Sequence, residues 1–194
     1  MTDRGAARTA VLLLVALVCG APGSARDAVD LLNLTLSPEL AGWLVGANSR
    51  LASKTEEKEF LGLRDDAAAA AFIDRFWEKR DPDPARPGNP VRELAEQRAT
   101  EADRRFTEAG YAGRRTARGT IFVLFGEPDK MEHEPGEFKG EPPVEVWTYP
   151  KSAAPGLDGK KPEPRYRFAQ RGDLMVFYVP GVRPRRLDPN SSDL

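Results

Sequence analysis

The chain has 194 residues, 40% of them hydrophobic and 30% charged, and 29 basic against 30 acidic side chains give a net charge of −1. That length suits one domain plus a targeting segment. The near-neutral charge argues against a general nucleic-acid binder, which carries a basic excess. One cysteine and one histidine supply neither a disulfide framework nor a zinc ligand set.

Residues 1–25 have the layout of a secretory signal. Arg4 and Arg8 form the positive start, residues 10–18 an apolar stretch of nine, and Gly23, Ser24 and Ala25 the small residues that precede cleavage. A spanning helix needs about 20 apolar residues, so no membrane span is expected once this leader is removed. The predicted location is the periplasm or the exterior. Cys19 suggests a lipoprotein box, but Val18 is too bulky for the residue before a lipidated cysteine and Ala16 replaces the usual leucine. Cleavage after Ala25 removes two positive charges, one negative charge and the only cysteine, leaving a chain of net charge −2 without thiol chemistry.

Residues 26–52 read as a lead-in segment. Leu32, Leu34 and Leu36 alternate with polar residues, which predicts a short strand. Ser37, Pro38 and Glu39 start a short helix, with proline at the first position and Leu40, Trp43 and Leu44 on one side. Gly46 ends it. A domain is predicted over residues 53–180.

That domain begins with helices. Residues 55–58 open one that Gly62 interrupts. Asp65 or Asp66 caps the next, which runs to Lys79 with Phe72, Ile73, Phe76 and Trp77 on one stripe. Residues 81–84 alternate aspartate and proline and stop it. A fourth helix over residues 91–108 has only a weakly apolar face and is predicted on the surface. Residues 121–125 form an unbroken apolar run between Gly119 and the turn at Gly126, Glu127, Pro128 and Asp129. Such a run predicts a central strand buried on both faces.

Residues 130–143 read as an irregular polar segment. Residues 144–149 alternate, predicting a half-buried strand with Trp147. Residues 150–164 are turn-rich, residues 165–168 alternate again, and residues 173–179 form a last strand that Pro180 ends. Residues 181–194 are predicted to be a disordered tail. Helices first and strands afterwards predict an α+β domain, with N-terminal helices packed on a small, mainly antiparallel sheet.

Two blocks resemble the bacterial GWxTD-domain proteins. One is the helix end from Phe72 through Phe76, Trp77, Arg80, Asp81 and Pro82 to Pro84. The other runs from Gly113 through Thr116, Arg118 and Gly119 to Phe125, Gly126, Glu127, Pro128 and Asp129, followed by the strand with Trp147. The similarity spans residues 55–179. The eponymous motif is degenerate, since Arg114 stands at its tryptophan and Ala117 at its aspartate. The resemblance implies an envelope-associated or secreted bacterial protein, and it implies no reaction.

The candidate binding or structural network comprises Trp77, Arg80, Asp81, Thr116, Arg118, Glu127, Asp129 and Trp147. Glu127 and Asp129 follow the apolar run, and carboxylates so placed can work as acid and base. The same residues are also turn formers. An ion pair from Arg80 or Arg118 to Asp81 or Asp129 would tie the helix end to the central element. His133 lies between two glutamates without a zinc-binding spacing. Arg114, Arg115 and Arg118 form a basic cluster near Tyr111, without the G-K-[ST] of a phosphate loop. No catalytic residue, metal or cofactor is assigned. The sequence points to a non-catalytic interaction or assembly module whose partner is another envelope or secreted protein. A hydrolase acting on envelope glycans through Asp81, Glu127 and Asp129 is the alternative, and it requires two carboxylates within roughly 5–10 Å of each other.

Overall fold

The computed structural model describes residues 28–180. The secretory signal read in residues 1–25 and the disordered tail read in residues 181–194 lie outside the described residues. Within them, six α-helices precede a four-stranded antiparallel sheet, an α+β arrangement as predicted.

The chain starts with a 3-10 turn, Ala28–Leu31. The strand predicted at Leu32, Leu34 and Leu36 does not form. Asn33 is buried there, its Nδ2 donating to the carbonyls of Phe60 at 2.8 Å and Leu63 at 3.0 Å while its Oδ1 accepts from the Thr35 amide. That anchor bends the segment into a turn and leaves Leu34 exposed. Helix α1, Pro38–Ala41, follows Ser37, and a tight turn carries Trp43 and Leu44 into the interior. Gly46, at φ 90°, redirects the chain into α2, Ala47–Leu51.

Helix α3, Lys54–Leu61, begins with a capping box: the Ser53 hydroxyl accepts from the Glu56 amide and the Glu56 carboxylate accepts from the Ser53 amide. Helix α4, Asp66–Glu78, is capped by Asp65. Its stripe of Phe72, Phe76 and Trp77 is buried, and the Trp43 ring lies 4.8 Å from Phe76 and 5.2 Å from Phe60. Together they form a helical core.

Helix α5, Pro90–Phe106, is capped by Asn89, whose Nδ2 also reaches the Trp77 carbonyl and ties the start of α5 to the end of α4. It lies at the surface, as its weak apolar face suggested, with Glu93, Glu96, Gln97, Thr100 and Arg104 exposed, but its small-residue face is fully buried. Ala95 is buried in the helical core, and Ala99, Ala102 and Phe106 in a second core. Small side chains make a faint hydrophobic signal, yet they are what lets neighbouring backbone come close.

The apolar run at residues 121–125 is central but is not a strand. It lies in α6, Ala117–Phe125. The Thr116 hydroxyl accepts from the Gly119 amide and starts the helix, and Gly126, at φ 78°, ends it. A helix apolar all round belongs in an interior, and α6 lies between α5 and the sheet, with Ile121, Phe122, Val123 and Leu124 all buried.

The sheet has the order β1-β2-β3-β4, with β1 Lys130–Glu134, β2 Val144–Thr148, β3 Arg165–Arg171 and β4 Leu174–Phe177. Strand β1 was predicted as irregular chain, because its exposed residues KMEHE give no apolar alternation. Its pairing with β2 sets Met131 against Trp147, and further pairs set Glu145 against Phe168 and Phe168 against Phe177. Opposed residues share a face, so Trp147, Phe168 and Phe177 present one apolar surface, and they join α6 in the second core. Strand β1 forms one edge of the sheet, and the charges of Lys130, Glu132 and Glu134 there discourage pairing with another sheet. No helix of the described residues is long and apolar enough to cross a membrane.

Candidate functional site

Two of the three predicted carboxylates, Asp81 and Glu127, are engaged in local or structural contacts. Asp81 accepts from the Asp83 amide at 3.0 Å, a local turn bond. Glu127 forms a two-pronged pair with Arg105, in which Arg105 Nη2 donates to Oε1 at 2.9 Å and Nη1 to Oε2. Asp129 is exposed, and its backbone amide donates to the Thr148 carbonyl at the start of the β1–β2 ladder. Asp81 lines an open cleft together with Glu93 of α5, whereas Glu127 is held by Arg105 in the last turn of the same helix. Among the described residues no three His, Cys, Asp or Glu side chains gather to hold a metal. His133 is exposed on β1 and pairs in register with Glu145.

Arg80 does make a structural ion pair, but to neither Asp81 nor Asp129. Its partner is Glu56, with Nη1 to Oε1 at 3.1 Å and Nη2 to Oε2 at 2.9 Å. The same guanidinium donates to the carbonyls of Phe76 and Leu51 and lies 3.5 Å above the Phe76 ring. It thereby binds the ends of α2 and α4 to the start of α3. The Arg80 hydrogen bond holds the Glu56 carboxyl at a pKa of about 2, with burial opposing and Ser53 assisting. Asp81 comes too late in the chain for this role, because Arg80 folds back along α4 to reach Phe76.

Arg118 and Trp147, from distant parts of the sequence, meet through Glu145. Arg118 Nη1 donates to Glu145 Oε2 at 3.2 Å, and Trp147 Nε1 donates to Glu145 Oε1 at 2.6 Å. Arg118 Nη2 donates to Glu108 at 2.6 Å, and Glu108 accepts in turn from the Met175 amide at 3.1 Å. The network joins α6, the segment after α5, β2 and β4. All three charged groups are largely buried, with the Arg118 side chain only 19% exposed. Asp129, the partner predicted for Arg118, is excluded because it lies at the opposite end of α6.

The motif segment is organised by close backbone approach. Gly113 starts a 3-10 turn, Gly113–Arg115, and a Cβ there would fall 1.9 Å from the Ala102 carbonyl oxygen of α5. A Cβ on Gly119 would fall 1.8 Å from the Gly113 carbonyl oxygen. Thr116 bridges the two, donating to the Gly113 carbonyl while accepting from the Gly119 amide. Arg114 is exposed and holds Asp103 through its amide at 2.8 Å and its Nε at 2.7 Å. Ala117 is buried at the first helical position.

Behind this segment lies a cleft of about 180 Å³, walled by Trp43 and Trp77 and by residues of α4, α5 and α6, with Arg115 at one side. Trp77 is the only member of the predicted set that reaches it. Sequence reasoning missed Glu56, Glu108, Glu145, Asp103 and Gly42. Of these, only Glu56 carried a local signal, the serine three residues before it.

No family model matches the chain, and neither a curated protein nor a solved structure matches it.

Proposed function

We propose that this chain is a secreted or envelope-associated bacterial protein of the GWxTD type, and that its α+β domain is a non-catalytic interaction or assembly module. The supporting observation is the fate of the polar residues most suited to chemistry. Glu127 is paired with Arg105 in the last turn of α5, and Asp81 accepts from a turn amide, so both carboxylates are engaged in structural contacts. A glycan hydrolase needs two carboxyl groups free to act on one bond, roughly 5–10 Å from each other. Arg80, Thr116, Arg118 and Trp147 are likewise engaged in holding elements together.

The test uses the full chain, expressed with its own leader and recovered from the envelope fraction. The expected result is a stoichiometric complex with one envelope protein, reconstituted from the two purified components, and no release of soluble fragments from peptidoglycan. Fragment release that disappears in Asp81→Asn or Glu127→Gln would overturn the proposal in favour of the hydrolase.

A further inference from the structure

Of the three arginines in residues 113–119, Arg115 alone has no carboxylate partner among the described residues. Arg114 holds Asp103, Arg118 holds Glu108 and Glu145, and Arg105 holds Glu127. Arg98 also lacks a carboxylate, but its Nη1 donates to the carbonyls of Val123 and Leu124 at the end of α6, which explains its place. Arg115 has one protein acceptor, the Glu39 carbonyl, at 3.2 Å from Nη2, and no carboxylate within ion-pair distance among the described residues. Its guanidinium lies flat against Gly42, where a Cβ would come within 2.9 Å of Cζ. Burial, and then the Arg114 charge, pull its pKa below the ordinary arginine value, with Asp103 opposing.

A half-buried guanidinium with unused N–H donors faces a desolvation cost that a bound anion relieves. The cleft beside it supplies apolar walls from Val45, Ile73, Ala99 and Val123 and two indoles, Trp43 and Trp77. Neither indole N–H has an acceptor among the described residues, in contrast to that of Trp147. The cleft volume of about 180 Å³ exceeds the roughly 150 Å³ that admits a benzene ring. The charge of the anion follows from a count: one unpaired cation faces the cleft, and Glu39 and Glu96 also line it, so a dianion such as phosphate is disfavoured.

We propose that this cleft binds a small organic monocarboxylate with an apolar body, its carboxylate held by the Arg115 guanidinium and its body against Trp43, Trp77 and Val45. The planar guanidinium matches a carboxylate with two parallel N–H donors, so the acid group fixes orientation while the walls select for an apolar remainder. The assignment is independent of the interaction-module proposal.

The test is calorimetric titration of the full chain with benzoate, its neutral isostere benzamide, and inorganic phosphate. Benzoate is expected to bind saturably and about tenfold or more tighter than benzamide, the factor that hydrogen bonds to a charged group supply, and phosphate not to displace it. Arg115→Gln and Gly42→Ala are each expected to weaken benzoate binding about tenfold or more. The second variant keeps the charge and moves only the guanidinium, so it carries the test if the first fails to fold. A peptide ending in a free phenylalanine carboxylate, set beside its C-terminal amide, separates a chain terminus from a free acid as the source of the ligand. Absence of saturable benzoate binding, equal binding of benzamide, tighter binding of phosphate, or unchanged affinity in folded variants would each overturn the proposal.

Discussion

At the residue scale, Glu56 couples the helical half of the molecule to pH. Its carboxyl titrates near 2 in the folded chain, against an ordinary value of 4.5, because Arg80 stabilises the ionised form. A depressed carboxyl pKa adds stability that is complete above the unfolded value and disappears as pH falls through the folded one. The window is therefore pH 4.5 down to about 2. Glu56→Gln keeps the capping geometry and removes the charge, so it is expected to cost about 2 kcal/mol at pH 7, below the range for fully buried pairs because Arg80 retains some solvent contact. Urea melts of both proteins at pH 7 and pH 2.5 measure this. The gap should shrink on acidification, and a gap of equal size at both pH values would show that the ion pair is not its source. The arginines that hold the fold were visible in the sequence, but their partners were not. Arg80 pairs across 24 residues and Arg118 across 27, distances set by how helices dock and not by any local pattern.

At the element scale, the path from Gly113 to Gly119 decides whether α6 can sit between α5 and the sheet. Helix propensity alone favours alanine over glycine at residue 119 by about 1 kcal/mol. The structure opposes it, since the added Cβ would overlap the Gly113 carbonyl oxygen at 1.8 Å. Overpacking of this kind costs about 3 kcal/mol, so the clash wins. Gly113→Ala meets the Ala102 carbonyl in the same way. Gly62 is the control: its φ is −87° and an added Cβ has only ordinary contacts at 3.4 Å, so Gly62→Ala is expected to be neutral or to stabilise by about 0.5 kcal/mol. Denaturation midpoints of the three variants should fall in that order, with Gly62→Ala at or above wild type. Equal midpoints for all three would show that the backbones can separate without cost. The same element shows why the sequence misled. Five apolar residues in succession have no period, so burial on both faces could be read but helix could not be told from strand. The deciding signals lay outside the run, in Thr116 as a helix cap and Gly126 as a helix end.

At the scale of the molecule, helices before strands were enough to give the α+β class, and alternation at Val144, Val146, Tyr166 and Phe168 was enough to place two strands. The division of the interior into two cores was not legible, because it depends on which side of α5 each cluster meets. Ala95 faces the helical core, Ala99 and Phe106 face the sheet core, and Leu51 and Leu157 touch both. A shared helix and shared side chains mean that neither core keeps its boundary if the other melts, so the two should unfold as one cooperative unit. The three tryptophans are placed to test this: Trp43 and Trp77 report on the helical core and Trp147 on the sheet core. In Trp147→Phe, fluorescence follows the helical core alone. In the double variant Trp43→Phe/Trp77→Phe it follows the sheet core. Within each variant the fluorescence and circular dichroism transitions in urea should coincide, although each variant has its own midpoint. A sheet-core signal lost well before the helical dichroism would mean that α5 is a hinge between two separately stable halves, and that the alanine face of α5 is too thin a seam to couple them.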